Sequence, residues 1–290
     1  MVEFPCKLQY QYRLDGERYR LCTTGSNMNT LFAIFAALLY AFAAAVLIGK
    51  FVHQDGPNKR LGLSLASIGA IAHLAFLSNV IMVAPGQDMS VTNVLSLVSW
   101  IITISMLVFA RAIPNLILLP VVFGFASFTI LASIFIPVSY IMHIELQPGL
   151  VVHISLSLFA YCTLVIAFLY ALQMSYITYR LKQKGAALLH SSLPPLMLVE
   201  RILFKLLLAG TALLTVSLVS GYFFLDDMFN KTYAHKTVLS IAALVVFLIL
   251  LVGQKLRGWR GKQVISLTVL GVVLLSLAYF GSKLVRELIL

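Results

Sequence analysis

Residues 31–49 read LFAIFAALLYAFAAAVLIG, an apolar run without a charged side chain. At about 1.5 Å of rise per residue it makes a helix roughly 28 Å long, close to the ~30 Å hydrocarbon core of a bilayer. Lys50 ends the run, and the pattern then repeats. Further spans are expected at Leu61–Val83, Val91–Ala110, Pro114–Ile136, Leu150–Ile177, Ile202–Leu225, Val238–Gly253 and Val264–Phe280. The chain is 61% hydrophobic and 11% charged, where a soluble domain carries about 25% charged residues. The expected fold is therefore all-α: a polytopic membrane helical bundle of about eight transmembrane helices, formed by residues 28–290 as one domain and in contact with membrane lipid.

The charges lie between the runs, and they alternate. Lys50, Lys59 and Arg60 follow the first span, and Arg111 follows the third. Arg180, Lys182, Lys184, Arg201 and Lys205 separate the fifth and sixth; Lys255, Arg257, Arg260 and Lys262 separate the seventh and eighth. These loops hold 13 Lys or Arg, whereas the opposite side, from the Pro85 loop to the C-terminus, holds four: Lys231, Lys236, Lys283 and Arg286. The positive-inside rule makes the first set cytoplasmic and both termini external. A net charge of +11 is thus a matter of topology and does not call for nucleic acid as a partner. Residues 1–27 form a hydrophilic extension whose Lys7, Arg13, Arg18 and Arg20 oppose that topology. The expectation is a start-site artefact, with Met28 as the working start. The prolines of Pro194-Pro195 should break the helix before LMLVERILFK, whose later residues should lead along the interface into the sixth span.

No HExxH, GxSxG, P-loop or dinucleotide fingerprint occurs, so no catalytic residue is nominated. Cys6, Cys22 and Cys162 have no metal-ligand spacing. Asp226-Asp227 reads as a solvated pair, and the spans lack the carboxylates of a proton relay. The histidines are the remaining candidates. His73 lies near the middle of the second span, on a helix whose Gly62, Ala66 and Ala70 form a small-residue stripe. His153 stands near the start of the fifth, with Ser157 and Tyr161 at i+4 and i+8 on one helix face. His143 and His235 fall in external loops, and His53 and His190 on the cytoplasmic side look incidental. For His73 and His153 two readings stand side by side: an imidazole satisfied by a neighbouring helix, or a ligand facing a cavity. Histidines from mid-membrane outward, without cysteine partners, suit haem iron, which takes an imidazole as axial ligand in an apolar pocket. At different depths, His73 and His153 would serve two separate sites.

Three stretches carry a resemblance: residues 143–182 (HIELQPGLVVHISLSLFAYCTLVIAFLYALQMSYITYRLK), 194–224 (PPLMLVERILFKLLLAGTALLTVSLVSGYFF) and 257–285 (RGWRGKQVISLTVLGVVLLSLAYFGSKLV). From about Met28 to the C-terminus the chain resembles the cytochrome c assembly family. That resemblance implies haem handling in a bacterial inner membrane, with haem b as cofactor and cytochrome c maturation components as partners. By position His153 matches the family's outer-face histidine and His73 its intramembrane one, as axial ligands, with His143 or His235 as companions. Trp259 matches a family feature at a cytoplasmic loop. Fuller members carry a tryptophan-rich outer loop that cradles haem. The corresponding Asp226–Lys236 contains no tryptophan, which departs from a complete haem lyase. The alternative is a haem-independent accessory subunit that modulates another membrane protein, such as a divalent-cation transporter.

Overall fold

Inside a bilayer a helix satisfies each backbone N–H and C=O from within its own segment, and the apolar runs accordingly fold as helices. The computed structural model describes residues 8–14, 17–22, 26–49, 58–83, 86–112, 116–136, 141–142, 148–182, 194–224 and 234–281. Among these lie α1 (Ser26–Gly49), α2 (Lys59–Ile81), α3 (Val91–Ala112), α4 (Leu119–Phe135), α5 (Pro148–Lys182), α6 (Leu196–Phe224), α7 (Ala234–Arg257) and α8 (Lys262–Ser276). A π-helical turn, Leu277–Gly281, continues α8. Seven of these helices are long and apolar enough to cross a membrane. The eighth, α4, has 17 residues. It begins later than the expected Pro114 because Pro120 in its first turn sets the start, where the missing N–H costs no helical bond. Residues 113–115 are outside the described set.

Consecutive helices pack as two closed rings of four. In the first, α1 touches both α2 and α4, and α3 bridges α2 and α4; in the second, α5, α6, α7 and α8 repeat the arrangement. Each ring is an up-and-down four-helix bundle. They meet where α3 packs on α5, and there the buried Cys162 Sγ lies 3.9 Å from the Val98 carbonyl oxygen. Lipid tails are as apolar as leucine, so burial alone does not pull such helices together; small residues that let backbones approach do. Ala33, Ala36, Ala37, Ala43 and Ala44 are buried on α1, which packs on both α2 and α4, and Gly62, Ala66 and Ala70 of the expected α2 stripe are buried as well. Large apolar residues such as Leu38, Ile71, Phe128 and Phe135 point outward, where lipid would cover them.

Strands appear outside the helices. Leu8–Leu14 (β1) and Glu17–Cys22 (β2) pair antiparallel, with Tyr12 opposite Tyr19 and Leu14 opposite Glu17. The hydrophilic extension thus carries a strand pattern that its charge alone does not reveal. LQYQYRL alternates apolar and polar residues with period two, and Asp15-Gly16 is a strong hairpin signal. Met82–Val83 (β3), Gly86–Asp88 (β4) and Ile141–Met142 (β5) form a second small sheet with β4 central. It ties the end of α2 and the start of α3 to the segment between α4 and α5. The short α4 therefore runs the length of its ring in the same direction as α2.

The tight helix approaches predict a contrast between glycines. A Cβ on Gly271 would come within 2.6 Å of the fully buried Phe247 ring, whereas one on Gly124 meets nothing within 4 Å. In detergent, Gly271→Ala should lower thermal stability by about 1–3 kcal/mol through overpacking. Gly124→Ala should leave it unchanged or raise it by about 0.5–1 kcal/mol. Melting followed by size-exclusion fluorescence checks both; equal losses would contradict this packing.

Candidate functional site

Because α1 and α2 approach closely, side chains at mid-helix can reach across. His73 is fully buried. Its Nε2 lies 2.9 Å from the Ser96 Oγ of α3, and its Nδ1 lies 3.5 Å from the Tyr40 hydroxyl of α1. One hydroxyl donates to the bare nitrogen and the other accepts from the N–H, so both ring nitrogens are occupied. The Tyr40 ring meets the imidazole edge-on at 5.8 Å and stacks on Phe123 at 6.0 Å. From Ser96 the network continues: the Ser99 hydroxyl donates to the Ser96 carbonyl and sits 2.8 Å from Thr129 Oγ1 of α4. The Trp100 indole donates to the Ala70 carbonyl at 2.9 Å. Each of the four helices thus contributes to one buried polar knot. In this arrangement His73 offers no free lone pair to a metal.

His153 is built differently. It sits half-buried in the second turn of α5, with Nδ1 2.9 Å from the Ser217 carbonyl oxygen and 3.2 Å from the Ser220 hydroxyl, both on α6. A carbonyl oxygen only accepts, so Nδ1 carries the proton; the Ser220 hydroxyl itself donates to the Ser217 carbonyl at 2.7 Å. The other nitrogen, Nε2, is left as a bare acceptor, and no described residue bonds to it. A metal-ligating histidine is held in this manner, with one ring N–H on a carbonyl and the opposite lone pair presented outward.

The polar stripe below His153 divides between partners. Ser157 donates to its own helix at the Ile154 carbonyl. Tyr161 reaches Ser276 of α8 at 3.0 Å and stacks on Tyr279 at 5.0 Å, with Phe280 set edge-on at 5.7 Å. The Tyr279 hydroxyl, on the π-helical turn, is buried and faces the Ser157 side chain. Successive i+4 positions drift about 40° around a helix, so the stripe leaves the α6 side at His153 and reaches α8 at Tyr161. An imidazole with an uncommitted Nε2 is the chemistry that a haem-iron ligand calls for, and aromatic rings line the same end of this ring of helices.

Other nominated residues are less engaged. His235 is exposed at the second position of α7. His143, His53 and His190 lie outside the described residues, as do Asp226, Asp227 and the rest of that loop up to Tyr233. Among the described residues no three His, Cys, Asp or Glu converge on a common metal position. The sequence reading missed Tyr40, Ser96, Ser217 and Ser220. Tyr40 is the lone hydroxyl in the first apolar run, and Ser217 and Ser220 share a face at i+3, but neither pattern names a partner on another helix.

Fold and side chains together define a polytopic helical membrane protein with two histidines set into separate interhelical networks. Residues 61–290 match the family described as Cytochrome C assembly protein, and the chain belongs to that family. It is 40% identical over 261 residues to the Inner membrane protein YpjD of Escherichia coli strain K12, covering 89% of this chain and 99% of that one. A protein of Azospirillum brasilense described as an uncharacterized 28.8 kDa protein in the nifR3-like 5' region is 34% identical over 143 residues, 48% of this chain and 52% of that one. No solved structure matches.

The knot around His73 predicts a stability order. His73→Leu leaves the Ser96 hydroxyl buried without its imidazole partner and should cost about 1–3 kcal/mol. Tyr40→Phe removes the 3.5 Å contact to His73 and the hydroxyl's bond to Thr103 and should cost less, about 0.6 kcal/mol for each interhelical hydrogen bond in a membrane. Thermal unfolding of the purified variants checks the order; equal costs would contradict it.

Proposed function

We propose that the protein is a haem-handling protein of the bacterial inner membrane that holds haem b through His153. The observation that carries this reading is the His153 tautomer: Nδ1–H is committed to the Ser217 carbonyl, and Nε2 is unbonded among the described residues. Membership in the cytochrome c assembly family supports it, as does the printed name of the Escherichia coli relative, an inner membrane protein. His153 would ligate the iron, Ser220 would help to orient the imidazole, and Tyr161, Tyr279 and Phe280 would supply an aromatic wall. His235, at the start of α7, or His143 would be the second ligand. His73 serves an intramembrane site only if Ser96 or Tyr40 releases its nitrogen. When bound, the iron supplies redox and ligand-exchange chemistry; the chain binds, orients and shields it. The tryptophan-free Asp226–Lys236 loop favours haem binding and passage over attachment to an apocytochrome.

Haem titration of the purified protein tests this reading. A Soret band should grow with added haem, and His153→Ala should weaken binding at least tenfold, with Ser220→Ala perturbing it less. His73→Ala should leave the band in place while lowering stability. No band, or a band indifferent to His153→Ala, overturns the reading and favours an accessory role beside another membrane protein.

From the charge pattern we infer that both termini face outward. A C-terminal alkaline phosphatase fusion should therefore be active and a green fluorescent protein fusion dark. The reverse would overturn this orientation.

A further inference from the structure

At the opposite end of the second ring from His153, the first turns of α6 and the last turns of α7 enclose a groove of about 740 Å³. The turn after α7 shapes its mouth. Gly258 and Gly261 hold φ of +64° and +62°, a region costly for other residues. Between them Trp259 folds back so closely on α7 that a Cβ on Gly253 would collide with its indole ring. Arg260 then leaves the turn toward α6 and meets Glu200 at 3.6 Å.

Both walls change polarity in the same direction. On α6, Arg201 and Lys205 stand at i and i+4, and exposed Leu208 follows three residues deeper. On α7, exposed Lys255 stands at the rim, with exposed Val252 and Leu248 successively deeper. Glu200 pairs with Arg260, whereas Arg201, Lys205 and Lys255 have no ion-pair partner among the described residues. The groove is therefore cationic at the level where a headgroup lies and apolar where acyl chains begin. A small soluble anion has no use for the apolar floor, and a zwitterionic lipid leaves the excess positive charge uncompensated.

From this charge complementarity we propose that the groove binds an anionic phospholipid, with its phosphodiester among Arg201, Lys205 and Lys255 and its acyl chains along Leu208, Leu248 and Val252. Basic pockets between membrane helices bind such headgroups by charge-assisted hydrogen bonds. The site is independent of the His153 reading.

Native mass spectrometry of the full chain in detergent, with phosphatidylglycerol and phosphatidylcholine of identical acyl chains, tests it. The protein should retain phosphatidylglycerol about tenfold better. The triple variant R201Q/K205Q/K255Q should bring the ratio toward one at unchanged size-exclusion behaviour. The control triple R180Q/K182Q/K262Q, at the same end but outside the groove, should keep the preference. An L208Q/L248Q variant should weaken retention of phosphatidylglycerol. No preference in the unaltered protein, equal loss in both triples, or displacement by millimolar inorganic phosphate would overturn the proposal.

Discussion

Within a bilayer no water is available to an unpaired backbone group, and every described span resolves that constraint by being helical. Helices that need nothing from one another have little reason to assemble, since their leucines are as comfortable in lipid as in protein. Cohesion then falls to residues that let backbones approach and to the few polar groups that find partners across the gap. In the first ring Gly62 and Gly69 of α2 face Leu47 and Tyr40 of α1, and that approach allows Tyr40 to reach His73. In the second, Gly210 faces Leu164 across α5 and α6, and Gly271 faces Phe247 across α7 and α8. Were those glycines larger, the polar contacts that depend on the spacing would open.

The two central histidines show how one residue type takes two roles. His73 is closed on both nitrogens by hydroxyls from separate helices, so it joins helices and has no capacity left for a ligand. His153 is anchored on one nitrogen by a carbonyl that can only accept, which sets its tautomer and leaves the other nitrogen for chemistry. Hydroxyls adapt to either proton state, whereas a carbonyl does not. That difference in partner separates an imidazole closed on both nitrogens from one with a nitrogen left open.

The two ends of the second ring also diverge. One carries His153 and the π-helical turn with its aromatic cluster; the other carries cations arranged around a glycine-framed turn. Trp259, in the turn after α7, packs back on that helix and so directs Arg260 to Glu200. An ion pair at this exposed rim contributes little energy, but it closes one side of the groove while three cations stay uncommitted.

The apolar runs by themselves determined the fold class, the number of helices and most of their limits, because span length and backbone satisfaction are local requirements set by the solvent. The positions of His73 and His153 were legible for the same reason: an ionisable group in an apolar run stands out without any partner in view. The period-two alternation of LQYQYRL was also legible, since a strand's side chains alternate locally. What only the tertiary structure decided was the company each histidine keeps. Ser96, Tyr40, Ser217 and the Tyr279 hydroxyl are ordinary residues in their own helices, and the pairing of α1 with α4 or α5 with α8 is not written in any local period. Helix faces carry no register across a bundle until close packing of small residues chooses it. That choice, made at a distance along the chain, closes one imidazole and leaves the other open.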